Sequence, residues 1–222
     1  TMKITQTIIR FPNISLNTRD AHKLRGYFGN LFREHSPLLH NHYESGELRY
    51  QYPLVQYKVI GSAPTLVAIN EGAELLASLF LRIAEINIDG KTYHIQSKNI
   101  ETNHVECGYS EQLYQYRFNT LWMALNQNNF ERYTQSSDEE KHKMLCSVLT
   151  GNILSFFKGV GLMLEPNQRI MVTPNVNEKS TLFKNRKMTA FSGMFTTNAL
   201  LPQQVGLGKA VSRGFGAIDH QK

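Results

Sequence analysis

The chain has 222 residues, of which 41% are hydrophobic and 19% charged; this composition supports a folded core and excludes a wholly disordered protein. No stretch approaches the roughly 18 consecutive apolar residues of a membrane span, and Cys107 and Cys146 are too few for a disulfide framework or a four-cysteine zinc site. The formal net charge is +6. We therefore expect a soluble, cytoplasmic protein with no membrane partner.

The N-terminal half of the chain predicts the order strand, helix, strands, helix and hairpin. The hairpin has the strongest signal, because Asp89-Gly90 is a typical two-residue turn between strands. Helices on one side of an antiparallel sheet, an α+β arrangement, satisfy this order. The predicted elements are a strand at Lys3–Phe11, a helix from Asn17 or Thr18 to about Glu34, a loop at Ser36–Gly46, strands at Leu48–Tyr52 and Leu54–Ile60, a helix at Glu71–Leu81, and hairpin strands at Ile83–Ile88 and Thr92–Ser97.

The second half repeats this order and ends in a glycine-rich tail. The predicted elements are a strand at Gln112–Phe118, a helix at Leu121–Tyr133, a second helix from about Ser137 to about Lys158, and strands at Arg169–Thr173 and Thr181–Phe195. Two halves of similar order predict two similar domains, residues 1–103 and 104–222. We place the boundary near Glu101–Gly108.

The positive charge is concentrated in the last third of the chain. Residues 1–149 hold 15 basic and 15 acidic side chains, whereas residues 151–222 hold nine basic and three acidic ones. Charge concentrated in this way favours a polyanionic partner, above all nucleic acid. A solvated basic face that aids solubility is the alternative.

Residues 206–216, G-L-G-K-A-V-S-R-G-F-G, combine closely spaced glycines with Lys209, Ser212 and Arg213. Glycine lets a phosphate approach backbone N–H groups without a Cβ in the way. Lys and Arg add positive charge, and Arg can grip a phosphate with two hydrogen bonds. The pattern fits a phosphate backbone; a glycine-rich hairpin without a ligand is the alternative.

Two better-known phosphate motifs do not fit the tail. A nucleotide P-loop needs Ser or Thr after Gly-Lys, whereas Ala210 follows Gly208-Lys209. A dinucleotide fingerprint needs Gly or Ala at the position where Val211 stands.

The longer segment Leu201–Gly216, L-P-Q-Q-V-G-L-G-K-A-V-S-R-G-F-G, resembles the C-terminal signature of the CRISPR-associated repeat-processing endoribonucleases. These are the Cas6 family of the repeat-associated mysterious protein (RAMP) superfamily. Leu149–Leu162 is similar to a helix of that family, and Phe191–Asn198 is similar to the strand before the signature. The resemblance implies an α+β fold of two tandem ferredoxin-like, RRM-like domains, each an antiparallel sheet with helices on one face.

The resemblance also implies an activity. Members bind the repeat of a precursor CRISPR RNA and cut it once, without a metal or other cofactor, by attack of a ribose 2′-OH on the adjacent phosphorus. The products are a 2′,3′-cyclic phosphate and a 5′-OH. The glycine-rich loop contacts RNA and supports the fold, which assigns RNA binding to Gly206, Gly208, Lys209, Ser212, Arg213, Gly214 and Gly216.

Catalytic residues are expected near the first helix, because the family's histidine follows that helix and its tyrosine lies on it. His42, with His40 close behind, is our candidate for proton transfer, since the pKa of histidine lies near neutrality. Tyr27 is the candidate helper, Arg49 or Lys23 would supply charge, and Lys23 is also predicted to contact RNA. The basic run Lys184-Asn185-Arg186-Lys187 is predicted to contact RNA through Lys184, Arg186 and Lys187, because no acidic residue lies beside it.

Alternatives remain for both the site and the function. His40 and His42 could be solvated loop residues, or an i, i+2 pair that binds zinc, although no third ligand is evident. The protein could be a non-catalytic RNA-binding subunit of a CRISPR effector complex, or a scaffold whose tail joins a protein interface. A homodimer and effector-complex partners are compatible with the sequence.

Overall fold

The computed structural model describes residues 1–33 and 52–222. The N-terminal unit comprises Lys3–Val105 and Val211–Gly214, and the C-terminal unit comprises Thr1–Met2, Glu106–Ala210 and Phe215–Lys222. A short piece of the glycine-rich tail thus belongs to the N-terminal unit. Among the helices of the described residues, none is long and apolar enough to cross a membrane.

The N-terminal unit has the order of a ferredoxin-like domain. The elements are β1 (Met2–Arg10), α1 (Ala21–Leu31), β2 (Val55–Ile60), β3 (Ala63–Ile69), α2 (Glu71–Leu79), β4 (Glu85–Ile88), β5 (Lys91–His94) and the first part of β6 (Asn99–Phe118). The sheet runs β2–β3–β1–β6, so that β6, the fourth strand of this sheet, lies beside the first strand, and the third lies beside the second. A separate hairpin, β4–β5, precedes β6.

The core of the N-terminal unit lies between this sheet and its two helices. Ile9, Leu66 and Tyr57 pair across β1, β3 and β2 and are at most 1% exposed. Leu24 and Phe28, which are four residues apart on α1, pack into the same cluster. Burying a side chain of this size contributes about 1.5–3 kcal/mol, so this face fixes the position of α1 and of the polar residues that α1 carries.

The C-terminal unit repeats the strand order with a different second half. The elements are the rest of β6, α3 (Gln127–Thr134), α4 (Asp138–Gly159), β7 (Val172–Phe183), β8 (Arg186–Leu200) and β9 (Ile218–Gln221). The sheet runs β9–β6–β8–β7, which is the fourth, first, third and second strand of the unit, the same order as in the N-terminal unit read from the other edge; the glycine-rich tail stands in place of the second helix. The α+β fold of two ferredoxin-like domains is therefore confirmed.

The start of α4 agrees with the sequence, whereas the helix predicted at Leu121–Tyr133 is present only from Gln127 onward. The Ser137 side chain accepts the N–H of Glu140, and the Glu140 carboxylate accepts the N–H of Ser137, which caps α4. Residues 121–126 are not helical: the Trp122 backbone exchanges two hydrogen bonds with Phe191, at 2.8 and 2.9 Å. The strand-like bridge satisfies the backbone, and α3 begins only after its cap, Asn126.

The predicted continuous strand Thr181–Phe195 is wrong. Lys184 and Asn185 have φ values of 50° and 62°, and they form the two-residue turn between β7 and β8. Hairpins favour turns with positive φ because their twist matches that of the strands. The predicted basic run is thus the tip of a long β7–β8 hairpin.

Candidate functional site

The glycine-rich segment, residues 206–216, is shaped by close packing. Gly208 has a φ of +98°, and a Cβ there would lie 2.8 Å from Trp122 Nε1 and from the Met123 carbonyl oxygen. Gly216 has a φ of +69°, and its Cβ would lie 1.9 Å from the Leu207 carbonyl oxygen. Both positions exclude any other residue, so these two glycines are explained by the fold of the C-terminal unit.

Part of the segment's backbone is already hydrogen-bonded. The N–H of Gly216 donates to the Leu121 carbonyl at 2.8 Å, and the N–H of Lys209 donates to the Met123 carbonyl at 2.9 Å. These N–H groups therefore do not present themselves to a phosphate. The positive charge that the segment offers comes from the exposed Lys209 side chain and from the half-buried Arg213.

Residues 211–214 pack within the N-terminal unit, beside α1 and β2. Val211–Arg213 form a short 3₁₀ turn. Gly214 follows with a φ of +99°, and a Cβ there would lie 2.5 Å from the Ala21 Cβ and 3.3 Å from the Tyr57 carbonyl oxygen. The tail thus brings Ser212 and Arg213 to the start of α1.

Arg213 and Arg25 form a pair of like charges in the N-terminal unit. Burial, and secondly the Arg25 charge, lower the pKa of Arg213. The Arg25 charge also acts on the buried hydroxyl of Tyr57, where it opposes the larger effect of burial, which raises the pKa of that group. Two guanidinium groups near each other concentrate positive potential, which suits a polyanion.

Lys58 on β2 is a buried cation. The side chain is 0% exposed, and its ammonium has no hydrogen-bond partner among the described residues. Burial lowers the pKa of Lys58 from 10.5 to about 7. Its backbone adjoins the tail, since a Cβ on Gly214 would lie 3.7 Å from the Lys58 Cα.

Tyr27 and Lys23 face the β4–β5 hairpin. The Tyr27 hydroxyl donates to the Glu85 carbonyl at 2.9 Å, and burial followed by the Glu85 charge raises its pKa. The Lys23 ammonium contacts Asp89 and Asp20, which raise its pKa. Because Arg25 is two residues away from each, about 200° around the helix, it lies on another side of α1.

The structure brings the basic hairpin tip to the glycine-rich segment within the C-terminal unit. The Lys184 ammonium lies 5.6 Å from the centre of the Phe183 ring, and that ring packs edge-on against Phe215 at 5.4 Å. Arg186 and Lys187 are exposed beside it. Three of the nine basic residues of the last third therefore lie together beside the glycine-rich segment.

Three of the predicted catalytic residues, His42, His40 and Arg49, lie outside the described residues. Among the residues that are described, no group of His, Cys, Asp and Glu could hold a metal ion. Arg25 and Lys58 were not among the site residues predicted from the sequence. The position of Arg25 on a predicted helix was visible, but its proximity to Arg213 depends on a contact between residues far apart in sequence.

Comparison with known proteins gives matches over nearly the whole chain. Residues 2–106 match the Cas6b N-terminal domain, and residues 108–221 match the Cas6b C-terminal domain. A crystal structure of Cas6b is 36% identical, with a TM-score of 0.93, covering 99% of this chain and 100% of that one. A crystal structure of the CRISPR RNA processing endoribonuclease Cas6b is 32% identical, with a TM-score of 0.81 and the same coverage. An uncharacterized protein of Methanocaldococcus jannaschii is 29% identical over 143 residues, which are 64% of this chain and 97% of that protein.

Proposed function

The chain belongs to the Cas6b family, and from this premise we propose that it is an endoribonuclease that cuts CRISPR repeat RNA in the precursor transcript. The observation that carries the proposal is the full-length match, at 32% identity, to a protein described as a CRISPR RNA processing endoribonuclease. The positive charge of the tail and of the hairpin tip supports RNA as the partner. We also propose that the two domains are residues 1–103 and 104–222 and that the protein acts in the cytoplasm.

RNA binding is assigned to the hairpin tip and to the glycine-rich segment. Lys184, Arg186, Lys187 and Lys209 supply exposed charge in the C-terminal unit, and Arg213 supplies charge in the N-terminal unit. Positive side chains that replace counterions along a phosphate backbone supply most of the affinity for RNA of any sequence. Gly208 and Gly216 act through the fold of the C-terminal unit, and Gly214 acts through its close packing on Ala21 of α1, beside Arg213.

The proposed reaction is a transesterification within the RNA. A base removes the proton from a ribose 2′-OH, and this oxygen bonds to the adjacent phosphorus while the bond from phosphorus to the 5′-oxygen breaks. An acid protonates the leaving 5′-oxygen, so the products are a 2′,3′-cyclic phosphate and a 5′-OH. His42, with His40 as the second candidate, is the proposed proton-transfer residue.

Tyr27 and Arg49 are proposed as supporting residues in the reaction. Arg49 can stabilise the extra negative charge on phosphorus but cannot exchange a proton, because its pKa is too high. A raised pKa keeps the Tyr27 hydroxyl protonated, and it already donates to the Glu85 carbonyl. We therefore expect Tyr27→Phe to slow cleavage less than His42→Ala does.

The experiment is cleavage of an end-labelled repeat RNA in excess EDTA. Wild-type protein is compared with His42→Ala, His40→Ala and the control His94→Ala, which changes an exposed histidine on β5. The proposed endoribonuclease activity is supported if the RNA is cut once by the wild type and by the control but not by one of the variants His42→Ala and His40→Ala. The variant that loses the cut identifies the proton-transfer histidine. Tight, salt-dependent binding without a cut would instead identify a non-catalytic RNA-binding subunit of an effector complex.

A further inference from the structure

A cavity of about 400 Å³ lies within the C-terminal unit, between the start of α3 and the β7–β8 hairpin. We propose that this cavity binds one unpaired nucleotide of RNA, with the base stacked on Phe130 and the phosphate held by Arg186 and Lys187. The inference rests on the proposed RNA-binding function and adds a specific contact to it. The volume lies in the range of pockets that take small ligands.

Phe130 is an aromatic side chain that the fold leaves exposed. It is 40% exposed, whereas Tyr133, one turn further along α3, is 5% exposed. Tyr133 holds the helix to the sheet, because its hydroxyl donates to the Glu178 carboxylate at 2.7 Å and its ring packs edge-on against Phe191. The Phe130 ring is therefore available to a ligand without loss of the packing that positions α3.

The cavity wall combines apolar and cationic groups. Leu125 and Met188 line it beside Phe130, and the partly exposed Met188 and Phe130 provide a surface for the flat face of a base. Arg186 and Lys187 line the same cavity, and no acidic side chain does so among the described residues. A base with a phosphate attached matches this surface, because every base has a face that stacks on an aromatic ring and every phosphate carries negative charge.

The cavity continues from the proposed RNA-binding surface. The paired residues Phe183 and Arg186 lie at the hairpin tip, where Phe183 contacts Phe215 of the glycine-rich segment. Ser180 and Thr189 pair three residues further along and line the cavity, about 10 Å from the tip at the spacing of a strand. RNA held at the tip can therefore place a neighbouring unpaired nucleotide in the cavity. An apolar peptide would leave the two cations of the wall without a partner.

The test measures binding of a fluorescein-labelled oligouridylate of about 12 nucleotides, which covers the length of a typical single-strand site. Phe130→Ala is expected to weaken binding about 5- to 150-fold, the effect of losing one stacked base. Phe130→Trp is expected to restore affinity, because the larger ring also stacks. Leu154→Ala, which removes a similarly exposed apolar side chain on α4, is the matched control and should leave affinity unchanged.

The salt dependence of binding distinguishes the role of the cationic side chains of the cavity from that of the Phe130 ring. Lys187→Ala should make the slope of log affinity against log salt shallower by about 0.7, the value for one phosphate contact on a single strand. Phe130→Ala should leave that slope unchanged. The proposal is overturned if Phe130→Ala binds as tightly as wild type, or if the Trp variant binds as weakly as the Ala variant.

The result of this binding test does not depend on the result of the cleavage test for the proposed function. The oligouridylate carries no repeat and needs no cleavage, so a protein that fails to cut repeat RNA can still show the effect of Phe130. Conversely, a protein that cuts its repeat but shows no effect of Phe130 on oligouridylate binding retains the proposed function and lacks this nucleotide site.

Discussion

Replacing Lys58 with methionine should stabilise the protein at neutral pH. Methionine keeps most of the length and volume of the lysine side chain and removes its ammonium group. That ammonium is fully buried and has no hydrogen-bond partner among residues 1–33 and 52–222. Removing a buried charge that lacks a partner removes its desolvation cost, and no opposite charge is left buried without a partner.

The magnitude follows from the pKa of Lys58. Burial lowers this pKa from 10.5 to about 7. The charged form is thus disfavoured only in the folded state, so the cost is largest below the folded pKa and disappears above the unfolded one. At about 1.4 kcal/mol per pH unit, the cost is about 4 kcal/mol at pH 7 and about 2 kcal/mol at pH 9.

The assay is urea unfolding of wild type and Lys58→Met at pH 7, 8 and 9. The stability advantage of the variant should shrink by about 2 kcal/mol across this range as the wild-type ammonium loses its proton in the folded state. Lys179→Met, which changes an exposed lysine on β7, should show no such pH-dependent difference. An advantage that is absent, or that stays constant with pH, would refute the reasoning and show that the folded protein solvates or pairs this ammonium.

Further predictions concern the glycines and the charges of the N-terminal unit. Gly216→Ala should lower the free energy of unfolding by more than about 2 kcal/mol, because its Cβ would meet a carbonyl oxygen at positive φ. Gly151→Ala, on α4 with nothing within 4 Å of the new Cβ, should raise it by about 0.5–1 kcal/mol; urea unfolding checks both, and equal effects would contradict the packing argument. Arg213→Gln should weaken RNA binding and make its salt dependence shallower by about 0.7–0.9. Lys23→Gln should leave that salt dependence unchanged, because two carboxylates already contact the Lys23 ammonium. A larger change in salt dependence for Lys23→Gln than for Arg213→Gln would show that Lys23, and not Arg213, contacts the RNA.

The order of elements along the chain and most helices could be predicted because local signals and hydrophobic spacing agree with the fold, whereas the order of strands in the sheets was implied only by the family resemblance. The Asp89-Gly90 turn and the cap at Ser137 each mark an element that the structure contains. The predicted strand Thr181–Phe195 was wrong because of a local turn at Lys184 and Asn185, whereas the start of the helix predicted at Leu121 was wrong because of a contact between distant residues. Trp122 bonds to Phe191 across 69 positions, and this bridge replaces the first turns of the helix predicted from Leu121.

The candidate site was predictable in composition and not in geometry. The tail and the hairpin run were recognisable from charge and glycine content, but the packing of Phe183 on Phe215 was not. Lys58 could not be identified, because alternation along β2 gives it an ordinary solvent-facing position and only the tertiary fold buries it. The pairing of Arg25 with Arg213 likewise requires the tail to return to α1.

The most direct test of the central claim uses one RNA with a single modification. After the cut in the repeat has been mapped, the same RNA is made with a 2′-deoxy nucleotide on the 5′ side of the cut and is incubated with wild-type protein in excess EDTA. We predict unchanged binding and no cleavage at that position, because the attacking 2′-oxygen is missing, and a 2′,3′-cyclic phosphate on the product of the unmodified RNA. Cleavage of the deoxy RNA at the same bond would contradict the proposed mechanism.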